Sequence, residues 1–287
     1  MPTVLVTGGT GTTGRRVAAF LRARGVEVRT ASRHPVAGAD HHVLFDWADP
    51  GTFAAAVAGV DRVYLLAPLS DPDPDAAIGA FLDTAVAAGT RRVVLLSASA
   101  ITDAPSGLGA VAPLVRDRAP EAAVLRPSWF MQNFVGNHPV AIGIRERGRI
   151  ETATGHGRVA FVDPDDIAAV AGHLLLGEPI PDGELVLTGP QALSYDQAAA
   201  MVAEVTGTEV RHTSVSVDEL TAAIEAGGIP HDYARMLARM DDEIARGSEE
   251  RITTTVRDVT GRAPRSLRDF LVDAHRTRST DPTPAVA

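Results

Sequence analysis

The first fifteen residues, Met1 to Arg15, read MPTVLVTGGTGTTGR. Val4, Leu5 and Val6 form a short apolar run of mostly β-branched residues, and Gly8, Gly9, Gly11 and Gly14 follow at once. The next segment, RRVAAFLRAR from Arg15 to Arg24, places Val17, Phe20 and Leu21 at i, i+3 and i+4. That order is strand, glycine-rich turn, helix. Gly9-x-Gly11-x-x-Gly14 has the dinucleotide-binding spacing, and Gly8-x-x-Gly11-x-x-Gly14 has its G-x-x-G-x-x-G variant. Glycines let the backbone turn tightly and approach a pyrophosphate, while the N–H groups and dipole of the helix N-terminus receive its charge. A lone glycine triplet is equally a structural turn; the flanking strand and helix are what favour a nucleotide.

Outward from this turn, strands are predicted at Val26–Ala31, His42–Phe45, Val60–Leu66, Arg91–Ser97 and Ala122–Leu125, with helices at Pro50–Ala58 and Asp75–Ala88. Strands that alternate with helices predict parallel pairing through right-handed crossovers. Ser70–Pro74 is a loop by composition, and Pro105–Arg118 reads as a poor helix interrupted by Gly107, Gly109 and Pro113. The fold class is therefore α/β: a Rossmann doubly wound parallel sheet with a second, smaller α+β substrate domain. The expected division is 1–135 for the nucleotide domain and 136–287 for the substrate region. Glu184–Thr188 is expected to rejoin the sheet, and the tail from about Ser279 to be disordered.

Beyond the sheet, short strands are expected at Arg149–Ala153, Arg158–Val162 and Val210–Val217. Helices are expected at Ile167–Leu176, Ser194–Thr206, Asp218–Ala226, His231–Arg246 and Ser266–Arg276. Ser194 and Gln197 have capping-box spacing. The amphipathic His231–Arg246 helix would border a pocket or a homodimer interface. Asp163, Asp165 and Asp166 suit a helix N-terminus better than a metal site.

Several residues stand where ligands of open α/β sheets bind, at strand C-terminal ends. Ser32 and Arg33 end the second strand, where an acidic residue would take the ribose hydroxyls of NAD and an arginine pairs with the 2′-phosphate of NADP(H). A solvated surface charge is the plain alternative for Arg33. Asp46 contacts adenine or caps the next turn. Ala67-Pro68 leaves room for the nicotinamide ribose, and Tyr64 reads as core. After the sixth strand, SWFMQNFVGNH (Ser128–His138) sets Trp129, Phe130, Met131 and Phe134 beside Gln132, Asn133, Asn137 and His138, a pocket wall or a core cluster.

Composition narrows the chemistry. With 287 residues, 45% hydrophobic and 22% charged, the chain reads as a soluble globular protein, and a net charge of -9 argues against sequence-independent nucleic-acid binding. No apolar run approaches the ~18 residues of a membrane span. With no room for a signal peptide before the first strand, the expected place is the cytoplasm. Cysteine is absent, and each of the 27 basic residues counted as Lys or Arg is arginine. There is thus no thiolate nucleophile, no Schiff-base lysine and no Tyr-x-x-x-Lys proton relay.

Taken together, VTGGTGTTG, SR, FDWADPGTF, VYLLAP, RRVVLLSA, LRPSWFMQNF, FVDPDDIAAVA and LTGPQALSYDQ resemble the NmrA-like family of atypical short-chain dehydrogenase/reductases, from residue 3 to about 206. The resemblance implies NADP(H) bound through Gly8, Thr10, Gly11, Thr12, Thr13, Gly14 and Arg33. Asp46-Trp47 would then lie by the adenine, and Ala67-Pro68, Ser97-Ala98 and Pro127–Phe130 along the nicotinamide side. It further implies quinone reductases, iminium reductases of ergot-alkaloid type or inactive redox sensors as relatives. The chain departs from the pattern at Pro105–Arg118, where relatives carry a charged residue or a lysine.

A ketone accumulates alkoxide charge on reduction and needs a positioned acid. Hydride addition itself neutralises a cationic iminium, and a quinone delocalises the charge. The missing Tyr-Lys pair therefore points to a small or medium hydrophobic acceptor of iminium or quinone type, with His138 as the one candidate acid. The alternative is a non-catalytic NADP(H) sensor with a protein partner.

Overall fold

The computed structural model describes residues 2–34, 41–68, 71 and 73–280. The expected disorder beyond Thr280, and Ser70 and Pro72 of the expected loop, lie outside the described residues.

The chain forms two compact units. The first comprises 1–127, 164–187 and 255–262; the second 128–163, 188–254 and 263–287. The boundary thus falls at Pro127/Ser128 rather than after 135, and the first unit takes back two later segments. The reason is the sheet's need for cover and a last strand, which the chain after residue 136 provides.

In the first unit the elements run β1 (Thr3–Thr7), α1 (Thr12–Arg22), β2 (Glu27–Ser32), β3 (His42–Leu44), α2 (Phe53–Val57), β4 (Arg62–Leu66), α3 (Asp75–Ala87), β5 (Arg92–Leu96), α4 (Leu108–Arg118) and β6 (Glu121–Pro127). Among the described residues one seven-stranded sheet has the order β3-β2-β1-β4-β5-β6 and then Leu185–Leu187, with every pairing parallel. The order reverses between β1 and β4, the doubly wound arrangement. Leu5, Val63, Leu65, Val93, Leu95 and Val124 point to the face covered by α2, α3 and α4, and their neighbours Val4, Val6 and Val94 are buried on the other. Period-2 burial on both faces is why these strands read as continuous apolar runs.

Helix α4 is whole, contrary to its reading as an interrupted helix. Pro113 has no N–H for the carbonyl of Gly109, and that oxygen accepts instead from Ala104 N at 3.1 Å. The loop can come so close because residue 109 lacks a Cβ, which would stand 2.6 Å from the Ala104 Cβ. The glycine and the proline that look like breakers compensate one another.

The second unit begins with α5 (Pro139–Arg147), which the sequence reading missed although Pro139 at its first turn and Gly148 in the left-handed region past its end mark both termini. Next come β7 (Arg149–Thr152) and β8 (Arg158–Val159), then α6 (Pro164–Leu176) and β9 (Leu185–Leu187) of the first unit. The second unit resumes with β10 (Leu193–Ser194), α7 (Tyr195–Thr206), β11 (Arg211–Ser214), α8 (Val217–Ala226) and α9 (His231–Ala245). Helix α10 (Thr255–Thr260) returns to the first unit, and α11 (Leu267–Thr280) closes the second, two residues past the expected start of the tail.

Strand β11 pairs parallel to β7, and β10 antiparallel to β8. The Ser194/Gln197 capping box opens α7, and Ser216 with Glu219 makes a second on α8. Met131, Phe134, Phe161, Tyr195 and Phe270 form the core of this unit, with Phe134 and Phe161 edge-on at 5.0 Å.

Candidate functional site

The glycine turn connects β1 to α1 at the point where the strand order reverses, and each glycine has its own reason. Gly8 has φ 60°, and a Cβ there would stand 2.7 Å from Leu66 Cδ2 at the end of β4. Gly9 donates its N–H to Ala31 O at 3.2 Å, and a Cβ on it would lie 2.8 Å from the Thr30 Cβ of β2. A Cβ on Gly14 would overlap the Gly8 carbonyl oxygen. Gly11 caps α1 and gives its own N–H to Gly8 O at 2.8 Å. The turn is pressed flat against β2 and β4, so a ligand can reach backbone.

No side chain caps α1, and no acidic residue stands in its first turn. An anion would meet unopposed N–H dipoles there. The cradle therefore fits a dinucleotide pyrophosphate.

The other expected cofactor residues gather along the same carboxyl edge. Ser32 and Arg33 end β2; Ala67-Pro68 follow β4; Ser97-Ala98 follow β5; Pro127 ends β6. The register aligns them, with Thr7 opposite Ala31, Leu66 opposite Leu96 and Leu96 opposite Leu125. Thr7 closes the divergence of β1 and β4: its hydroxyl donates to Tyr64 O at 3.1 Å and accepts from Leu66 N at 2.8 Å. Beyond the strands, Ser97 N donates to Leu125 O and Ser99 N to Pro127 O, which keeps β5 and β6 together past the last paired residues.

Individual side chains differ in what they offer. Thr10 and Arg33 are exposed, and among the described residues Arg33 makes no ion pair. Thr13 is buried beside Tyr64, so it presents its backbone N–H rather than its hydroxyl. Asp46 Oδ1 accepts from Ala48 N at 3.0 Å, the turn-capping role weighed for it above. Trp47 packs edge-on against Phe45 at 4.8 Å and Phe81 at 5.3 Å, which makes its ring part of an aromatic cluster with Phe53. Ser32 makes two bonds that the sequence did not suggest, donating to His34 O at 2.8 Å and meeting His42 Nε2 at 2.8 Å.

In the second unit the aromatic segment divides by burial. Met131 and Phe134 are 1% and 4% exposed and sit in the core, whereas Trp129, Phe130 and Asn133 are half-buried. The segment is pinned by Met131 N donating to Val162 O and Val162 N donating to Trp129 O, both at 2.9 Å. Met131 and Phe134 therefore pack within the core of this unit, while the other three keep exposed surface. An aromatic next to amides looks alike in sequence whichever way it points.

His138 is the N-cap of α5, its Nδ1 accepting from Val140 N at 3.3 Å. The cap requires an unprotonated Nδ1, and partial desolvation of the ring, whose residue keeps an exposed surface, shifts its pKa in the same downward direction. Both work against His138 as a proton donor near neutrality. Tyr64 and Tyr195 do no better as acids, because burial raises both far above the ordinary phenol value. A group that sequence reading missed is Asp241 on α9, which faces inward, accepts from Ala153 N at 3.0 Å and is pushed up to about 6 by burial. Asp163 and Asp165 are engaged by Arg265 at 3.0 Å and Arg16 at 2.7 Å. Among the described residues no group of three or more acidic or histidine side chains is arranged to hold a metal ion, and no helix is long and apolar enough to cross a membrane.

Comparison with known proteins agrees with this geometry. Residues 8–171 match the model of an NAD(P)H-binding family. An uncharacterized oxidoreductase, YesF, of Bacillus subtilis is 44% identical over 268 residues, 93% of each chain. The agroclavine dehydrogenase of Claviceps fusiformis is 35% identical over 283 residues, covering 94% of this chain and 96% of that one. Among solved structures, the Citrobacter sp. triphenylmethane reductase complexed with NADP(H) superposes with a TM-score of 0.79 at 21% identity, over 96% of this chain and 100% of that one. The chain belongs to the NAD(P)H-binding family, with oxidoreductases among its relatives, and has a Rossmann fold.

Proposed function

We propose that the chain is an NADPH-dependent reductase whose acceptor is a small or medium hydrophobic molecule with an iminium, other C=N or quinone-like group. The observation that carries this reading is the dinucleotide cradle built by the glycine turn, in a chain that has no lysine for a Tyr-Lys relay. The residues of the turn, Gly8 to Gly14, would hold the pyrophosphate on backbone N–H groups, with Ser32 and Arg33 placed to receive a 2′-phosphate. NADPH, when bound, supplies the hydride. An iminium cation takes that hydride and becomes a neutral amine with no proton needed, and a quinone takes its proton from solvent. Tyr64 and Tyr195 are buried, His138 is occupied as a cap, and no lysine exists, so an alkoxide would find no partner among them. The agroclavine dehydrogenase relative is in keeping with a reductase. Trp129, Phe130 and Asn133 keep part of their surface exposed, which supports the reading that they meet the acceptor.

The test is NADPH oxidation followed at its absorbance band against a panel of cyclic iminium salts, quinones and simple ketones. Turnover of the first two classes without the third is expected. Saturable NADPH binding with no turnover on any member would overturn the reading and leave a sensor.

A further inference from the structure

Arg33 is the charge that would select NADPH, yet an exposed arginine at a strand end is a loose device by itself. The neighbouring Ser32 is not loose. Its hydroxyl has one hydrogen, which is donated to His34 O at 2.8 Å. With that hydrogen on His34 O, the Nε2–H tautomer of His42 donates to Ser32 Oγ across the 2.8 Å contact. His42 lies on β3 directly opposite Thr30 of β2 and reaches diagonally to Ser32, two residues further on. Thr30 and Ser32 share one face of β2, and Thr30 is the residue pressed against Gly9. The Ser32–His42 pair therefore stands on the face of the sheet that carries the glycine turn.

We propose that His42 is a positioning residue for recognition of the adenosine 2′-phosphate. Its Nε2–H holds the Ser32 oxygen in place, so the serine hydrogen can turn from the His34 carbonyl to a phosphate oxygen without the side chain changing rotamer. Ser32 O–H and the Arg33 guanidinium then form a two-point clamp, one point fixed and one mobile. A hydroxyl held by a second donor is also the better hydrogen-bond donor, since each bond of a chain polarises the next. This inference rests on the NADPH reading given above and adds to it a residue on an edge strand that never touches the cofactor.

The experiment measures dissociation constants for NADPH and NADH by fluorescence titration, without any acceptor, on the unmutated protein and on His42→Leu, His42→Gln, Ser32→Ala, the Ser32→Ala/His42→Leu double variant and Arg33→Ser. His42→Leu should weaken NADPH about twofold to tenfold, the range of one neutral hydrogen bond, with NADH unchanged. His42→Gln, which keeps an N–H at similar reach, should restore most of the loss. The double variant should bind NADPH no more weakly than Ser32→Ala alone, because His42 acts through that hydroxyl. Equal weakening of both cofactors by His42→Leu, or full additivity in the double variant, would overturn the inference. If Arg33→Ser abolishes a preference for NADPH that His42→Leu leaves intact, the NADPH reading stands and the role of His42 falls. If the unmutated protein binds both cofactors equally, the two fall together.

Discussion

Gly14 lies so close under Gly8 that a Cβ on it would stand 2.8 Å from the Gly8 carbonyl carbon and overlap the oxygen. The contact is backbone against backbone, so no side chain can swing aside to relieve it. Gly14→Ala should therefore push β1 and α1 apart, costing about 1–3 kcal/mol by analogy with overpacked cores. It should also weaken NADPH binding by at least about tenfold, the result of a turn displaced by a fraction of an ångström. Gly11→Ala meets only the Gly8 oxygen, at 3.2 Å, and should lose much less thermal stability. Melting curves with and without NADPH separate the two effects, and equal behaviour of both variants would contradict the geometry.

Arg33→Asp exchanges a partner of the 2′-phosphate for a repellent charge. NADPH affinity should fall by about tenfold to a hundredfold, the scale of a lost charge-assisted bond, whereas NADH should bind as well as before or better. Titration of the two cofactors checks this directly.

Asp241 makes stability depend on pH. Its carboxyl is pushed up to about 6 in the folded protein by burial, against ~3.9 in an unfolded chain. The folded state therefore binds the proton more tightly, and the contribution is fully present below pH ~4 and lost as pH rises through about 6. At neutral pH the buried anion is a liability of at most about 3 kcal/mol. Asp241→Asn keeps an acceptor for Ala153 N and removes the charge, so it should raise the melting temperature at pH 7.5 and change it little at pH 4. A variant destabilised equally at both values would show that the carboxylate is needed as such.

Tyr64 is fully buried; its hydroxyl faces the Thr13 side chain but makes no hydrogen bond of good geometry among the described residues. Tyr64→Phe should leave NADPH-dependent turnover unchanged and stability unchanged or slightly higher, since an unsatisfied polar atom is removed from the core. A large fall in turnover would make the phenol a participant in the reaction.

Much of the first unit is legible in sequence because its signals are local. The runs at Val4–Val6 and Val93–Leu96 have no other stable use than a strand covered on both faces, and the glycine spacing follows from backbone approach. What escaped depends on partners far along the chain. Pro113 looks like a break until Ala104 is seen to serve the orphaned Gly109 carbonyl. Trp47, Met131 and Phe134 are apolar in either role, so only burial distinguishes a pocket wall from a core. His42 and Asp241 carry no motif: the first matters through a diagonal across β2 and β3, the second through a stripe of α9 turned inward. His138 had the chemistry for a proton donor, but a proline after it and a helix behind it gave the ring to Val140.

The sheet of the first unit receives its seventh strand from Leu185–Leu187, and the same unit includes 255–262. During synthesis, β6 must therefore wait as an open edge while roughly sixty more residues are translated, several seconds at about 5–20 residues per second. The ribosome has made most of the chain before the nucleotide-binding half can close. An excised fragment ending at Pro127 would keep every glycine of the turn and still lack the strand that completes its sheet. Such a fragment should form aggregates through β6, and a chaperone that shields this edge should be most useful before residue 187 has emerged.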